Sequence, residues 1–213
     1  MNLQNPLRSV APTVDADVLA VLARNRRPMT GAAVERLAAR SHAQVRAVLH
    51  RLGAAGLVEA DRVGNAVQYR FNREHVLASG LEEMLDGATL VESRLRAYSA
   101  ACDPVPRSVV AFGSFARRTG GEESDVDLLL VRPARVDVDD PRWADVRLGV
   151  AQHLETWSGN ACQVVELSPQ ELREAAARTE PLVASLLTDG RTVFGESVRN
   201  LLGRRARRAA PSR

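Results

Sequence analysis

The sequence predicts an α/β protein, more narrowly α+β, with a front domain, a helical connector and a back domain whose mixed sheet is flanked by helices. Three observations carry this reading. The first third orders helices ahead of a β-hairpin, the second half contains an apolar strand–loop–strand unit, and the charge changes sign along the chain. The 213 residues suffice for two domains that each bury a core. Residues 1–80 hold 11 Arg and 6 acids, residues 81–200 hold 13 Arg and 20 acids, and residues 201–213 hold 5 Arg. A basic front, an acidic middle and a basic tail suit parts with different partners.

Composition narrows the class. Apolar residues make up 45% and aromatics only 4%, so the core is expected from Leu, Val and Ala. No apolar run approaches the roughly 20 residues that span a bilayer, and MNLQNPLRSVAPT lacks the regions of a signal peptide, which predicts a cytoplasmic protein. Cys102 and Cys162 match no metal spacing and read as reduced thiols. The basic residues are all Arg, which a coding bias explains as well as phosphate binding does.

In TVDADVLAVLARN, Val14, Val18, Leu19, Val21 and Leu22 recur at helical spacing, with Thr13 as N-cap and Asp15 and Asp17 where a helix start favours negative charge. A short helix follows Pro28 and Thr30, with Val34 and Leu37 as its inward pair. Next, SHAQVRAVLHRLGAAG pairs Ser41 with Gln44 at capping-box spacing and places Val45, Val48, Leu49 and Leu52 on one face, ending at Gly53 or Gly56. Two strands, Leu57–Asp61 and Val67–Phe71, are joined by a turn at Gly64-Asn65.

Three helices followed by a hairpin resemble the winged helix-turn-helix family, over roughly residues 13–73 of a domain assigned to 1–73. The resemblance implies DNA binding. The helix from His42 would enter the major groove with His42, Gln44, Arg46, His50 and Arg51, while Arg62, Asn65 and Arg70 on the wing would reach phosphate or minor groove. The basic balance of this segment agrees. A solvated face or a protein-docking role is the alternative.

The connector, 74–103, spaces Leu77, Leu81, Met84, Ala88, Val91, Leu95 and Tyr98 by fours and threes, a seam of three heptads weakened by Gly80 and Gly87. It predicts a homodimer helix or a stripe laid on the chain's own core.

After Pro104 and Pro106, SVVAFGS gives a short buried strand, Ser108 to Phe112, ending in Gly113-Ser114. FARRTGGEE starts as a helical turn and loosens into a Gly-rich loop, and Asp125 to Val131 forms the next strand. Residues two apart in a strand share a face at about 6.6–6.8 Å, so Asp125 and Asp127 point the same way. Such a pair with one more acid can hold two divalent cations about 3.5–4 Å apart. Gly113 lets a triphosphate approach the backbone, and Ser114 offers a hydroxyl to it.

These residues resemble the signature of the DNA-polymerase-β-like nucleotidyltransferase superfamily. The fuller form, GSxAR then SDxDLxxV, is similar to the minimal nucleotidyltransferases of bacteria, with Gly113, Ser114, Ala116, Arg117, Ser124, Asp125, Asp127, Leu128 and Val131 all falling on it. Arg118 stands where the family often has Gly. The resemblance implies a nucleotidyltransferase domain over residues 104–200 that moves an NMP from an NTP, ATP first among them, to a hydroxyl of a protein or tRNA, with two Mg²⁺ ions. Asp125 and Asp127 would hold metal, and Gly113, Ser114 and Arg117 the nucleotide. A third carboxylate is implied on the strand Cys162 to Leu167. An ungapped comparison places it at Val165, whereas the acid present is Glu166. A one-residue slip turns a side chain to the other face unless a bulge restores it, so Glu166 stays open as third ligand. With Glu166 turned away, the domain becomes a slow enzyme or a nucleotide sensor attached to a transcriptional regulator.

Asp137, Asp139 and Asp140 read as a solvated loop before a helix over 141–157, and Trp143 and Trp157 as packing residues of that helix. The tail, 201–213, is expected to be disordered and to add non-specific nucleic-acid affinity. A regulatory or toxin–antitoxin role follows by analogy of fold alone.

Overall fold

The computed structural model describes residues 1–203, and residues 204–213 of the basic tail lie outside the described residues. The described residues form two compact bodies, one of Asn2 with Gln4–Gly87 and one of Met1, Leu3 and residues 88–203.

In the first body, α1 (Val14–Arg24), α2 (Gly31–Ala38) and α3 (His42–Ala54) precede the hairpin of β2 (Val58–Val63) and β3 (Ala66–Phe71). A two-residue strand β1 (Met29–Thr30) pairs with β3, giving the antiparallel order β1-β3-β2. Val18, Leu22, Val34, Val45, Val48, Leu49 and Leu52 close its core, as their helical spacing predicts. The α3 capping box forms in both directions between Ser41 and Gln44. Thr13 does occupy the N-cap of α1, yet its side chain makes no capping bond. Leu37 is 50% exposed rather than inward, so Val34 alone roots α2 in the core.

The predicted connector is not a separate part. Helix α4 (Ala78–Leu85) sets Ala78, Leu81 and Leu85 against the first core, while α5 (Gly87–Ala101) sets Ala88, Val91 and Leu95 into the second. The helix breaks at Asp86, beside Gly87, one of the two residues that weaken the seam. Leu77 and Met84 are exposed while Val91 and Leu95 are buried, so no continuous stripe remains for a second chain.

The second body is a mixed sheet in the order β6-β5-β4-β7, from β4 (Ser108–Phe112), β5 (Val126–Val131), β6 (Cys162–Leu167) and β7 (Arg191–Gly195). Strand β4 runs antiparallel to β5 and β7, and β5 runs parallel to β6 through the crossover helix α7 (Pro141–Ser158). Val126, Leu128 and Leu130 face α5 and α7, while Leu129 and Val131 face α8 (Pro169–Ala177), α9 (Pro181–Thr188) and α10 (Val198–Gly203). Both faces of β5 are thus covered beyond Asp127, which is why residues 128–131 are continuously apolar. Leu201 is 2% exposed within α10, so the folded chain extends three residues past the predicted limit of 200. No helix among the described residues is long and apolar enough to cross a membrane.

Candidate active site

The site gathers at the end of β4 and the start of β5. Phe112 pairs with Asp127 across the two strands, which delivers the next residue, Gly113, to the Asp127 side chain. Gly113 has φ +65, and a Cβ placed there would overlap Asp127 Oδ2. Glycine is therefore required twice, by backbone conformation and by close approach. The five-residue helix α6 (Gly113–Arg117) buries Phe115 and Ala116 in the core and leaves Ser114 half-buried. Arg118 ends it at φ +56, a left-handed conformation that accounts for the glycine common there in the resembling family. Here an arginine adopts it, with Nη2 donating to Thr89 Oγ1 at 2.9 Å and lying 3.9 Å from Glu92.

Asp125 and Asp127 lie on one face, as the period of two requires. Burial, followed by the charge of Asp125, raises the proton affinity of Asp127, and the Arg117 guanidinium opposes both. Arg117 thus acts on the Asp127 carboxylate, while its Nη1 donates to Asp189 Oδ2 at 2.7 Å. The loop leading into Asp125 is tied down by Asn160, which is 3% exposed. Its Nδ2 donates to Ser124 O at 3.0 Å and Glu122 O at 3.2 Å, and Gly121 N donates to Ser124 Oγ at 2.9 Å. Gly120 closes the loop over Ser114, since a Cβ there would stand 3.2 Å from Ser114 Oγ.

Glu166 is not part of this site. In the parallel register it pairs with Leu130, while Asp127 pairs with Gln163, and no bulge interrupts the ladder. Glu166 consequently turns to the opposite face, where it accepts from Arg132 Nε at 2.9 Å and Arg147 Nη1 at 3.3 Å. Val165 lies on the catalytic face but packs against the α8–α10 core. The residue opposite Asp127 is Gln163, whose Nε2 donates to Asp125 Oδ2 at 2.7 Å. Neither Gln163 nor Asn160 was identifiable as part of the site from sequence. Gln163 carries no charge, and the Gly-Asn step at 159–160 reads only as a turn. Counting back two residues from Val165 is the one signal that reaches Gln163.

Two carboxylates on one face, at the accessible end of the sheet, are a donor set suited to one hard divalent cation. The triad required for two ions is not assembled: no group of three or more His, Cys, Asp or Glu side chains comes together among the described residues.

The predicted nucleic-acid face divides in two. His42 Nδ1 lies 2.7 Å from Glu35 Oε1, Gln44 accepts from Ser41 N at 3.3 Å in the capping box, Arg51 pairs with Asp15, and Arg70 pairs with Glu59. Arg46, His50, Arg62 and Asn65 are exposed on α3 and the hairpin. All eight are exposed, and the first four additionally bond within the body.

Residues 95–176 match the family described as "Nucleotidyltransferase domain". The matched segment is a nucleotidyltransferase domain, which makes the chain a transferase. No curated protein matches the chain. Among solved structures, a toxin–antitoxin crystallised with AMP-PNP is 19% identical over 53% of this chain and 82% of its own, with a TM-score of 0.38. A toxin–antitoxin MntA-HpeT mutant is 16% identical over 53% and 81%, with a TM-score of 0.38. The tri-AMPylated Shewanella oneidensis HEPN toxin in complex with MNT antitoxin is 16% identical over 55% and 82%, with a TM-score of 0.35.

Proposed function

We propose that the second body transfers a nucleoside monophosphate from an NTP, ATP being the first to test, to a hydroxyl of a protein or RNA acceptor. The observation that carries this is the meeting of Gly113 with Asp127, where a side-chain-free backbone and a carboxylate pair occupy one corner inside the matched domain. Gly113 and Ser114 would hold the triphosphate, and Arg117 would exchange Asp189 for phosphate. Asp125 and Asp127 would hold Mg²⁺, which when bound supplies neutralising charge for the triphosphate and the departing pyrophosphate. The acceptor oxygen attacks the α-phosphorus and forms a new P–O bond. The bond to the bridging oxygen breaks, pyrophosphate leaves with the electron pair, and the hydroxyl proton passes to water. Positioning and charge neutralisation supply most of the acceleration.

For the first body we propose DNA binding in the winged-helix manner, carried by Arg46, His50, Arg62 and Asn65. The order of three helices and a hairpin supports it, as does the excess of Arg over acids in residues 1–80. The two activities together describe a regulatory or toxin–antitoxin component.

Incubation with α-labelled ATP, Mg²⁺ and cell extract tests the transferase. Label on a macromolecule, lost in the Asp125→Ala, Asp127→Ala double variant, is the expected result. Nucleotide bound without transfer would instead favour a nucleotide-sensing regulator.

A further inference from the structure

Gln163 is the polar residue of β6 that faces the carboxylate pair. It is the residue of β6 in register with Asp127, on the same sheet face, at the exposed end of the strand, and its amide nitrogen donates to Asp125 Oδ2 at 2.7 Å. The acid available on that strand faces the other way and is committed to Arg132 and Arg147. Val165, the next residue of β6 on the catalytic side, is apolar and packed. No other position of β6 offers an oxygen donor to the pair.

We infer that Gln163 is a positioning residue which holds Asp125 by hydrogen bonding in place of a third ligand, so that the site binds a single divalent cation with its nucleotide. This rests on the transferase reading above. The chemistry of the amide explains the arrangement. A third carboxylate beside Asp125 and Asp127 adds repulsion in the ion-free protein, where the two acids already raise each other's electrostatic energy. The amide instead donates to Asp125 and adds no charge. Asp125 and Asp127, together with the triphosphate, would supply oxygen ligands for one ion, and among the described residues no third carboxylate is at hand for a second. The acceptor hydroxyl reacts without a metal-held base, and the turnover of the native chain is correspondingly slow.

The test counts ions rather than activity. Mn²⁺ is titrated into the full chain in the presence of a non-hydrolysable ATP analogue, with free Mn²⁺ followed by electron paramagnetic resonance. Wild type is expected to bind one Mn²⁺ per chain, Gln163→Glu two, and Gln163→Ala one. Gln163 is exposed on an edge strand, so both variants are expected to fold, and melting curves verify it. Two ions in wild type, or one in a folded Gln163→Glu, would overturn the inference while leaving the transferase reading in place. Gln163→Ala is expected to hold its one ion more weakly, and an unchanged Mn²⁺ affinity in that variant would remove the positioning role and equally overturn the inference. No ion at all in wild type would remove the transferase site as well.

Discussion

At Gly113 and Asp127, two residues at neighbouring ends of β4 and β5 constrain each other. A methyl group on Gly113 collides with the Asp127 carboxylate and forces a left-handed backbone onto an L side chain, a strain of about 1–3 kcal/mol. Gly113→Ala is therefore expected to abolish calorimetric binding of an ATP analogue while the chain remains folded by circular dichroism. Asp127 also carries a stability signature. Burial and Asp125 raise its pKa, so the folded state favours the neutral acid, and the stability this gives is lost as pH rises through that raised pKa. Asp127→Asn should thus raise the melting temperature at pH 7, with the gain disappearing at acid pH, and should abolish transfer. An unchanged or lower melting temperature at pH 7 would contradict this. Burial, with Glu155, Asp127 and Asp125 following, pushes the Cys162 thiol up to about 12. At pH 8 only about one molecule in ten thousand then carries the thiolate, and Cys162 should stay inert to thiol reagents until denaturant is added. Gly113, Ser114, Asp125 and Asp127 were legible in the sequence because their meaning is local, a spacing within one strand–loop–strand unit. Gln163 and Asn160 were not, because one acquires its role from strand register and the other from the carbonyl groups of Ser124 and Glu122 gathered by folding.

Among the elements, β6 decides most. Its limits, Cys162 to Leu167, follow from sequence, but its register against β5 does not, and register determines that Glu166 faces α7 rather than the carboxylate pair. Glu166 is structural. Its side chain is 9% exposed and its partner Arg132 10%, so Glu166→Ala leaves a buried guanidinium short of its counter-charge. A loss of roughly 3 kcal/mol in urea unfolding is expected, with Mn²⁺ binding unchanged. Weakened ion binding in that variant would return Glu166 to the site. Helix α3 shows a similar division between pattern and use. The spacing of Ser41 and Gln44 revealed a capping box, and in that box the Gln44 Oε1 accepts from Ser41. Arg46→Ala should lower the salt dependence of DNA binding by about one unit of slope, whereas Gln44→Ala should leave it unchanged and cost about 0.5–1 kcal/mol of stability. Equal salt slopes for both variants and wild type would remove α3 from the interface. Leu37 was misread because a short helix with one buried contact has too few turns for its period to define a face.

For the whole molecule, the chain length suggested two domains, and the structure forms two bodies. Their boundary was the least legible feature. The seam from Leu77 to Tyr98 has the spacing of one long helix, yet two cores claim its two halves, and only the break at Asp86 reveals this. Hydrophobic period reports that a face is buried without reporting against what. The central claim is that the second body moves a nucleoside monophosphate rather than a phosphoryl group. Parallel reactions with α-labelled and γ-labelled ATP test it most directly: the α label should appear on the acceptor while the γ label is released as pyrophosphate in equal amount. Transfer of the γ label to the acceptor, or release of γ label as phosphate with no α label transferred, would contradict it.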